Sequence, residues 1–461
     1  MKTITIKRYA TVLLWGLFIF LSSSCEDFLE VDTPNYLLSG ETIFTDTKTV
    51  EAAMVGIYAQ LRNNVLLTGN PQGLSVLLGT YTDELDYYSP YPLPEEPFHK
   101  NTLLATNPTV AEVWNGCYNQ IYAANAILEG VADSIYFTPD EIASFKGEAL
   151  FIRALIHFYL VNIYGDIPYI TTTNYHINKN VEREAKEIIY AKIISDLEEA
   201  RQLLPATDLS GKKVRPYQAV ATALLARVQL YAENWEQASQ LATLVIDETP
   251  WESDPTNVFL KESPSILWQF QPEFEGQNTF EAQNFIFEAA PPPARALTTT
   301  LMDAFEPGDL RKDLWTGAVT DGSQTFYYPY KYQHRAGEPF NAEYSVVLRL
   351  AELYLVRAEA NANLGNLSAA ASDINKIRER AGLSPTTATA QETLLNAVLK
   401  ERRVELFTEH GHRFFDLKRT ANLDGTLISS KPNWNTTDRL FPIPEKELLL
   451  NPALNPQNPG Y

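Results

Sequence analysis

Two segments of the chain combine aromatic rings with carboxylates at close spacing. Asp83, Glu84 and Asp86 run directly into Tyr87, Tyr88 and Tyr91. Far downstream, Trp315 is followed by Tyr327, Tyr328, Tyr330 and Tyr332. A flat ring offers an apolar face that stacks on the C–H face of a sugar, and a nearby carboxylate or amide can bond the hydroxyls. Asp86, Tyr87, Tyr88, Tyr91, Trp315, Tyr327 and Tyr328 are therefore the candidate ligand-binding residues. Each ring has a competing role, because large aromatics also anchor long loops to a core. Asp83, Glu84 and Asp86 could instead supply the acid and base of a glycoside hydrolase. Such a pair must flank the scissile bond, and three carboxylates in one segment do not by themselves provide opposing walls.

Other reactive-looking groups read as structural. The sequence has no G-x-S-x-G, H-E-x-x-H, Walker or G-x-G-x-x-G motif. His410 and His412 are two residues apart, which on a helix places them on different faces, unsuited to one metal. Glu401, Arg402, Arg403, Glu405, Glu409, Arg413 and Asp416 alternate in sign at three- and four-residue spacing, the pattern of an ion-pair network. Glu148 and Arg153 interrupt an apolar helix and must be paired if buried. No catalytic residue, metal or cofactor is expected.

Cys25 is a different kind of chemical group. Lys2, Lys7 and Arg8 precede an uncharged run from Tyr9 to Leu21, then Ser22-Ser23-Ser24-Cys25. A charged start, an apolar stretch and small residues before a cut make a secretory signal. A cysteine at the cut resembles a bacterial lipoprotein signal, in which the thiol is acylated and becomes the new N-terminus. Leu21 stands one residue further back than the Leu of most such signals. An ordinary signal cut near Ser24 and a membrane anchor are the alternatives, although the run is short for a span of about 20 residues. Acidic residues follow at once in Glu26, Asp27, Glu30 and Asp32.

The whole chain has 461 residues and a net charge of −20. An acidic surface disfavours nucleic acid and anionic lipid headgroups and suits a neutral ligand better. Cys117 is the only other cysteine. If Cys25 carries lipid, no internal disulfide is possible and core burial must hold the protein together.

Helices must position these groups. Apolar residues recur at helical spacing over 45–64, 110–131, 140–164, 184–204 and 393–420. The 140–164 stretch stops at Gly165-Asp166-Ile167-Pro168, an expected exit. Residues 216–246 and 348–380 each read as two helices around a turn, at Glu233-Asn234 and Gly365-Asn366. Their small and large residues resemble tetratricopeptide repeats, with 148–164 as a degenerate third copy. Residues 66–108 do not read as one element. Residues 250–345 are rich in Pro and Gly and predict long loops with a few short strands, including 265–270 and Tyr327-Tyr328.

Six motifs in order carry a family resemblance. They are Cys25-Glu26-Asp27-Phe28-Leu29-Glu30; Glu148 to Ala154 running on to Tyr164-Gly165-Asp166-Ile167-Pro168; Ala223 to Val228 with Asn234-Trp235; Leu301, Phe305, Gly308-Asp309 and Arg311; Arg349 to Tyr354, Arg357 to Ala360 and Arg378 to Leu383; and Glu401-Arg402-Arg403 to Asp416-Leu417, with the Asn-Pro-Gly-Tyr ending. The chain resembles the SusD/RagB family of outer-membrane lipoproteins. The resemblance implies a mostly α, SusD-like fold with four tetratricopeptide-like helix pairs and a loop-rich side carrying the ligand site. It implies a non-catalytic, glycan-binding partner of a SusC-like TonB-dependent transporter, lipid-anchored at Cys25 and exposed on the outer membrane. The acidic residues after Cys25 resemble the family's surface-export signal. The expected organisation is a signal peptide over 1–24, an acidic tether over 25–34, and parts 35–249 and 250–461 forming one compact unit. An assembly subunit of the transporter complex, or one that binds peptides or other nutrients, is the alternative role.

Overall fold

A computed structural model describes residues 44–274, 276–337 and 341–461. Cys25, the signal segment and the acidic tether lie outside the described residues.

The fold is mostly helical. Its N-terminal half contains α1 (Thr47–Asn63), α2 (Leu74–Tyr81), α3 (Pro108–Ala132), α4 (Pro139–Tyr164), α5 (Lys186–Leu203), α6 (Gln218–Tyr231) and α7 (Trp235–Glu248). The C-terminal half contains α8 (Leu350–Asn363), α9 (Leu367–Arg380), α10 (Gln391–Glu405), α11 (His412–Arg419), α12 (Leu423–Ser430) and the short α13 (Glu445–Leu450). Local chemistry fixes the ends. Asn107 caps α3 by accepting from the amides of Thr109 and Val110, with Pro108 at the first helical position. Thr138 and Glu141 form a reciprocal capping box on α4. That helix ends at Gly165, whose φ of 77° suits a residue without Cβ.

Helix α4 is buried on nearly every side from Phe145 to Tyr164 and packs against both α3 and α5. The two expected helix pairs are present, α6 with α7 and α8 with α9, and α7 in turn packs on α8. The 393–420 stretch is two helices rather than one continuous pattern. Thr408, His410 and Gly411 all have positive φ, and this left-handed turn separates α10 from α11. A Cβ at Gly411 would collide with Leu78, so the close approach also selects glycine there.

Among the described residues there are six strands: β1 (Leu85–Tyr87), β2 (Ile266–Phe270), β3 (Arg295–Leu297), β4 (Thr316–Thr320), β5 (Thr325–Pro329) and β6 (Ser345–Arg349). Strand β2 falls where 265–270 predicted it and pairs antiparallel with β6. The other four form one sheet in the order β1-β3-β5-β4. Strand β1 comes from the N-terminal half and its three partners from the C-terminal half, so the sheet joins the two.

Buried ion pairs tie the halves together as well. Arg227 and Glu352 are each nearly inaccessible and meet in a two-pronged pair, with Arg227 Nε 2.6 Å from Glu352 Oε1. Glu405 accepts from Arg311, Arg349 and Arg380, and Glu409 accepts from Arg349 and Lys331. Arg402 and Arg419 share Asp416. The alternating charges of 401–416 are thus a structural network. Glu148 is held by Arg215 at 2.7 Å and by the Tyr58 hydroxyl, and Arg153 by Asp196 at 2.7 Å, which gives both charges the cross-helix partners their burial requires. Cys117 is a free, buried thiol. Among the described residues no helix is long and apolar enough to cross a membrane.

Candidate functional site

Side chains alternate between faces along a strand, so the register of the four-stranded sheet sorts the candidate residues. Leu85 opposes Leu297, which opposes Tyr327. These three pack inward on an apolar cluster with Trp315, Phe259 and Phe407. The other face carries Ala296, Phe326, Tyr328 and Val319, with Tyr88 at the end of β1 and Phe287 from the preceding loop. Tyr88 continues β1, its amide donating to Ala294 O at 2.7 Å. Asp86, opposite Ala296, lies on this same face.

The outer face therefore brings together three of the predicted residues from segments far apart in sequence. The Tyr88 ring meets Phe326 edge-on with centroids 5.3 Å apart, and Tyr328 meets Phe287 at 5.0 Å and Tyr330 at 5.8 Å. Both tyrosines are half-buried, fixed on one side and open on the other. Burial raises the Tyr88 phenol, and the carboxylate of Asp86 adds to the rise. The Asp86 carboxylate has no hydrogen-bond partner among the described residues, and burial raises it against the opposing pull of Lys431. The result is a pair of rings with an acceptor beside them, which suits stacking on an apolar ring face and bonding its hydroxyls.

The remaining candidates are placed elsewhere. Trp315 is 1 % exposed, its Nε1 donating to Pro255 O at 2.9 Å and its ring flanked by Lys331 and Arg380. It has no open face for a ligand; it anchors the loop region to the core, the competing role that aromatics share. Tyr327 leans on the inner cluster. Tyr87 shapes the loop that follows it: its hydroxyl accepts from the amide of Leu93 at 3.1 Å and donates to Tyr91 O, and its ring stacks on His99. Tyr91 is 75 % exposed at the tip of that loop. Tyr332 is buried, and its hydroxyl accepts from the Val346 amide at 2.9 Å.

The three carboxylates separate just as clearly. Asp83 is buried and gripped by Arg413 at 2.8 and 2.9 Å and by Arg403 at 2.8 Å. Glu84 is 2 % exposed. Only Asp86 reaches the surface, so the segment does not offer two open carboxyls flanking a bond, as glycoside hydrolysis requires. His410 and His412 are both buried; His410 Nε2 lies 3.0 Å from Val346 O, and burial lowers both imidazoles. Phe287, Phe326 and Gly317 belong to the aromatic face but carry no sequence signal beyond their types. Tertiary packing alone reveals them.

Comparison with known proteins gives a consistent result. Residues 27–230 match a family model described as "Starch-binding associating with outer membrane", and residues 315–461 match the SusD family model. The chain is 27% identical to SusD-like protein P2 of Formosa agariphila over 95% of this chain and 97% of that one. Among solved structures, a SusD superfamily protein from Bacteroides vulgatus superposes with a TM-score of 0.79 at 24% identity, covering 90% of this chain and 99% of that one. A laminarin-binding SusD-like protein superposes with a TM-score of 0.75 at 26% identity, covering 90% and 100%.

Proposed function

The chain belongs to the SusD/RagB family, and from that premise we propose that it is a non-catalytic, glycan-binding protein of the outer membrane. The observation that carries this reading is the outer face of the four-stranded sheet, where Tyr88 and Tyr328 present half-open rings beside the unpaired carboxylate of Asp86. The ring faces take the apolar side of a sugar, and Asp86 accepts from its hydroxyls. Tyr91, exposed on the loop that Tyr87 braces, extends the contact. The net charge of −20 fits a neutral saccharide. Similarity to a laminarin-binding protein supports a glycan as the ligand class.

Lipid on Cys25 would hold the protein at the membrane, and the acidic stretch 25–34 would let the body reach a SusC-like TonB-dependent transporter, to which it delivers the captured glycan. Parts 35–249 and 250–461 act as one unit in this role, with the α6–α7 and α8–α9 pairs as its tetratricopeptide-like scaffold.

Calorimetric titration with soluble laminarin and maltohexaose tests the site. Tyr88→Ala and Tyr328→Ala are each expected to lower affinity for the bound glycan by roughly tenfold, equivalent to about 1.4 kcal/mol, without lowering the melting temperature by more than a few degrees. Unchanged affinity in both variants would sink the assignment of this face.

A further inference from the structure

A sizeable cavity lies away from the sheet. It holds about 420 Å³, within the roughly 300–1,000 Å³ of small-molecule sites. Helix α3, the single turn Tyr175–Asn178 and the C-terminal α13 border it, and none of its lining residues belongs to the sheet.

One stripe of α3 builds its wall. Tyr118 and Asn119 lie three and four residues after Asn115, and Tyr122 lies seven after it, so the four stand on one face of the helix. Trp114 and Tyr118 form the base, with ring centroids 4.8 Å apart. The Tyr118 hydroxyl donates to Pro168 O at 2.9 Å, which fixes that ring. Tyr122 is 54% exposed, and Tyr175, which lines the same cavity from the single turn, is 71% exposed. Such exposure of two large rings facing one cavity is expensive in water and is recovered when something stacks on them.

The polar groups narrow what that something is. The side chains of Asn115 and Asn119 have no hydrogen-bond partner among the described residues, and the carboxylate of Glu447, which lines the cavity, has neither a hydrogen bond nor an ion pair among them. Burial raises the Glu447 carboxyl. An amide offers two donors and an acceptor, and a carboxylate offers acceptors only. A purely apolar occupant would strip water from these groups and return nothing. Lys179 also lines the cavity, its Nζ 5.9 Å from the Tyr175 ring centroid, so its charge offsets that of Glu447 and the lining carries no net charge that would favour an anion or a cation. What satisfies rings, amides and a carboxylate together is a neutral ring compound with an apolar face and several hydroxyls.

The cavity is also held open by its own frame. Asn178 Nδ2 donates to Thr172 O at 2.7 Å, and Asn451 Nδ2 donates to Val181 O at 2.8 Å. These bonds fix the facing wall and reduce the ordering cost of binding.

We propose that this cavity is a second saccharide-binding site, taking pyranose rings by stacking between Tyr122 and Tyr175 with hydroxyls bonded by Asn115, Asn119 and Glu447. Its ligand class follows from its own side chains and does not depend on the sheet being a site. Two separated sites on one protein would hold a long glycan with greater avidity than either alone, provided the chain can span both.

The test uses the purified protein carrying Tyr88→Ala and Tyr328→Ala, so that the sheet contributes little. Calorimetry with laminarihexaose, maltohexaose, cellohexaose and xylohexaose is expected to show remaining binding of at least one. Adding Tyr122→Ala or Asn119→Ala, both at exposed positions, should weaken that binding tenfold or more with an unchanged melting temperature. The proposal is overturned if none of the four hexaoses binds this background, or if the added substitutions leave the remaining binding intact. An apolar peptide as the true occupant would appear as the first of these results. If Tyr88→Ala and Tyr328→Ala cost no affinity while Tyr122→Ala does, the cavity stands and the sheet assignment alone fails.

Discussion

The ring of Tyr328 lies across Gly317, its cross-strand partner on β4, so closely that a Cβ at Gly317 would collide with the ring. The absent side chain on one strand is what lets the aromatic on the next lie down. A glycine weakens a strand by itself, and an aromatic folded over it covers the exposed backbone. The pose of Tyr328 on the outer face is therefore set from the neighbouring strand.

Gly317→Ala is expected to push the Tyr328 ring out of its pose. The overpacking should cost about 1–3 kcal/mol, and glycan affinity should fall several-fold. In a Tyr328→Ala background the same substitution should cost far less, because the obstacle is gone. Chemical denaturation of the four members of this cycle measures the coupling; additive effects would show that the two residues do not constrain each other.

Trp315→Ala should separate stability from binding. The ring is 1 % exposed and packs on Phe259 with centroids 5.3 Å apart. Its removal should cost roughly 3–5 kcal/mol, read as a large drop in the denaturation midpoint. Glycan affinity, measured well below the melting temperature, should stay close to that of the native protein. A selective loss of affinity with stability intact would return Trp315 to the binding site.

Glu84 makes stability depend on pH in a specific direction. Burial, reinforced by the neighbouring Asp83, pushes its carboxyl up to about 7, against the opposing pull of Arg413 and Lys331. Oε1 has no hydrogen-bond partner. The folded state thus holds a proton that the unfolded chain, with an ordinary glutamate near 4.3, releases earlier. Between those two values the folded state binds more protons, so this group's contribution to stability falls as pH rises and levels off above about 7. Glu84→Gln should leave stability nearly unchanged at pH 4.5 and raise it by on the order of 2–3 kcal/mol at pH 8. Thermal melts at both pH values check this; an equal shift at each would remove Glu84 as the cause.

Cys25→Ala tests the proposed tether apart from binding. The variant is expected to leave the membrane fraction while keeping its glycan affinity. Fractionation followed by calorimetry reads both properties, and full membrane retention would count against acylation at this residue.

The sequence by itself determined the helical frame. Apolar spacing over 45–64, 110–131 and 140–164 predicts helices that the structure places at Thr47–Asn63, Pro108–Ala132 and Pro139–Tyr164, because helical periodicity and caps are local and a single stretch contains all the information. The alternating charges of 401–416 announced an ion-pair network for the same reason. The helix break at Thr408–Gly411 was harder to read, since only Gly411 among its positive-φ residues is a residue type that signals a turn.

Only the tertiary structure decided which aromatics face outward. Tyr327 and Tyr328 are adjacent and alike in sequence, yet one leans on the core and the other on the open face, because alternation gives a side its meaning only once β5 has found β3 and β4. The meeting of Asp86 and Tyr88 with Tyr328 depends on β1 pairing across the chain with β3, and the cavity beside Tyr122 depends on α13 returning to α3. Such long-range closures depend on global packing, so no local pattern around these residues encodes them.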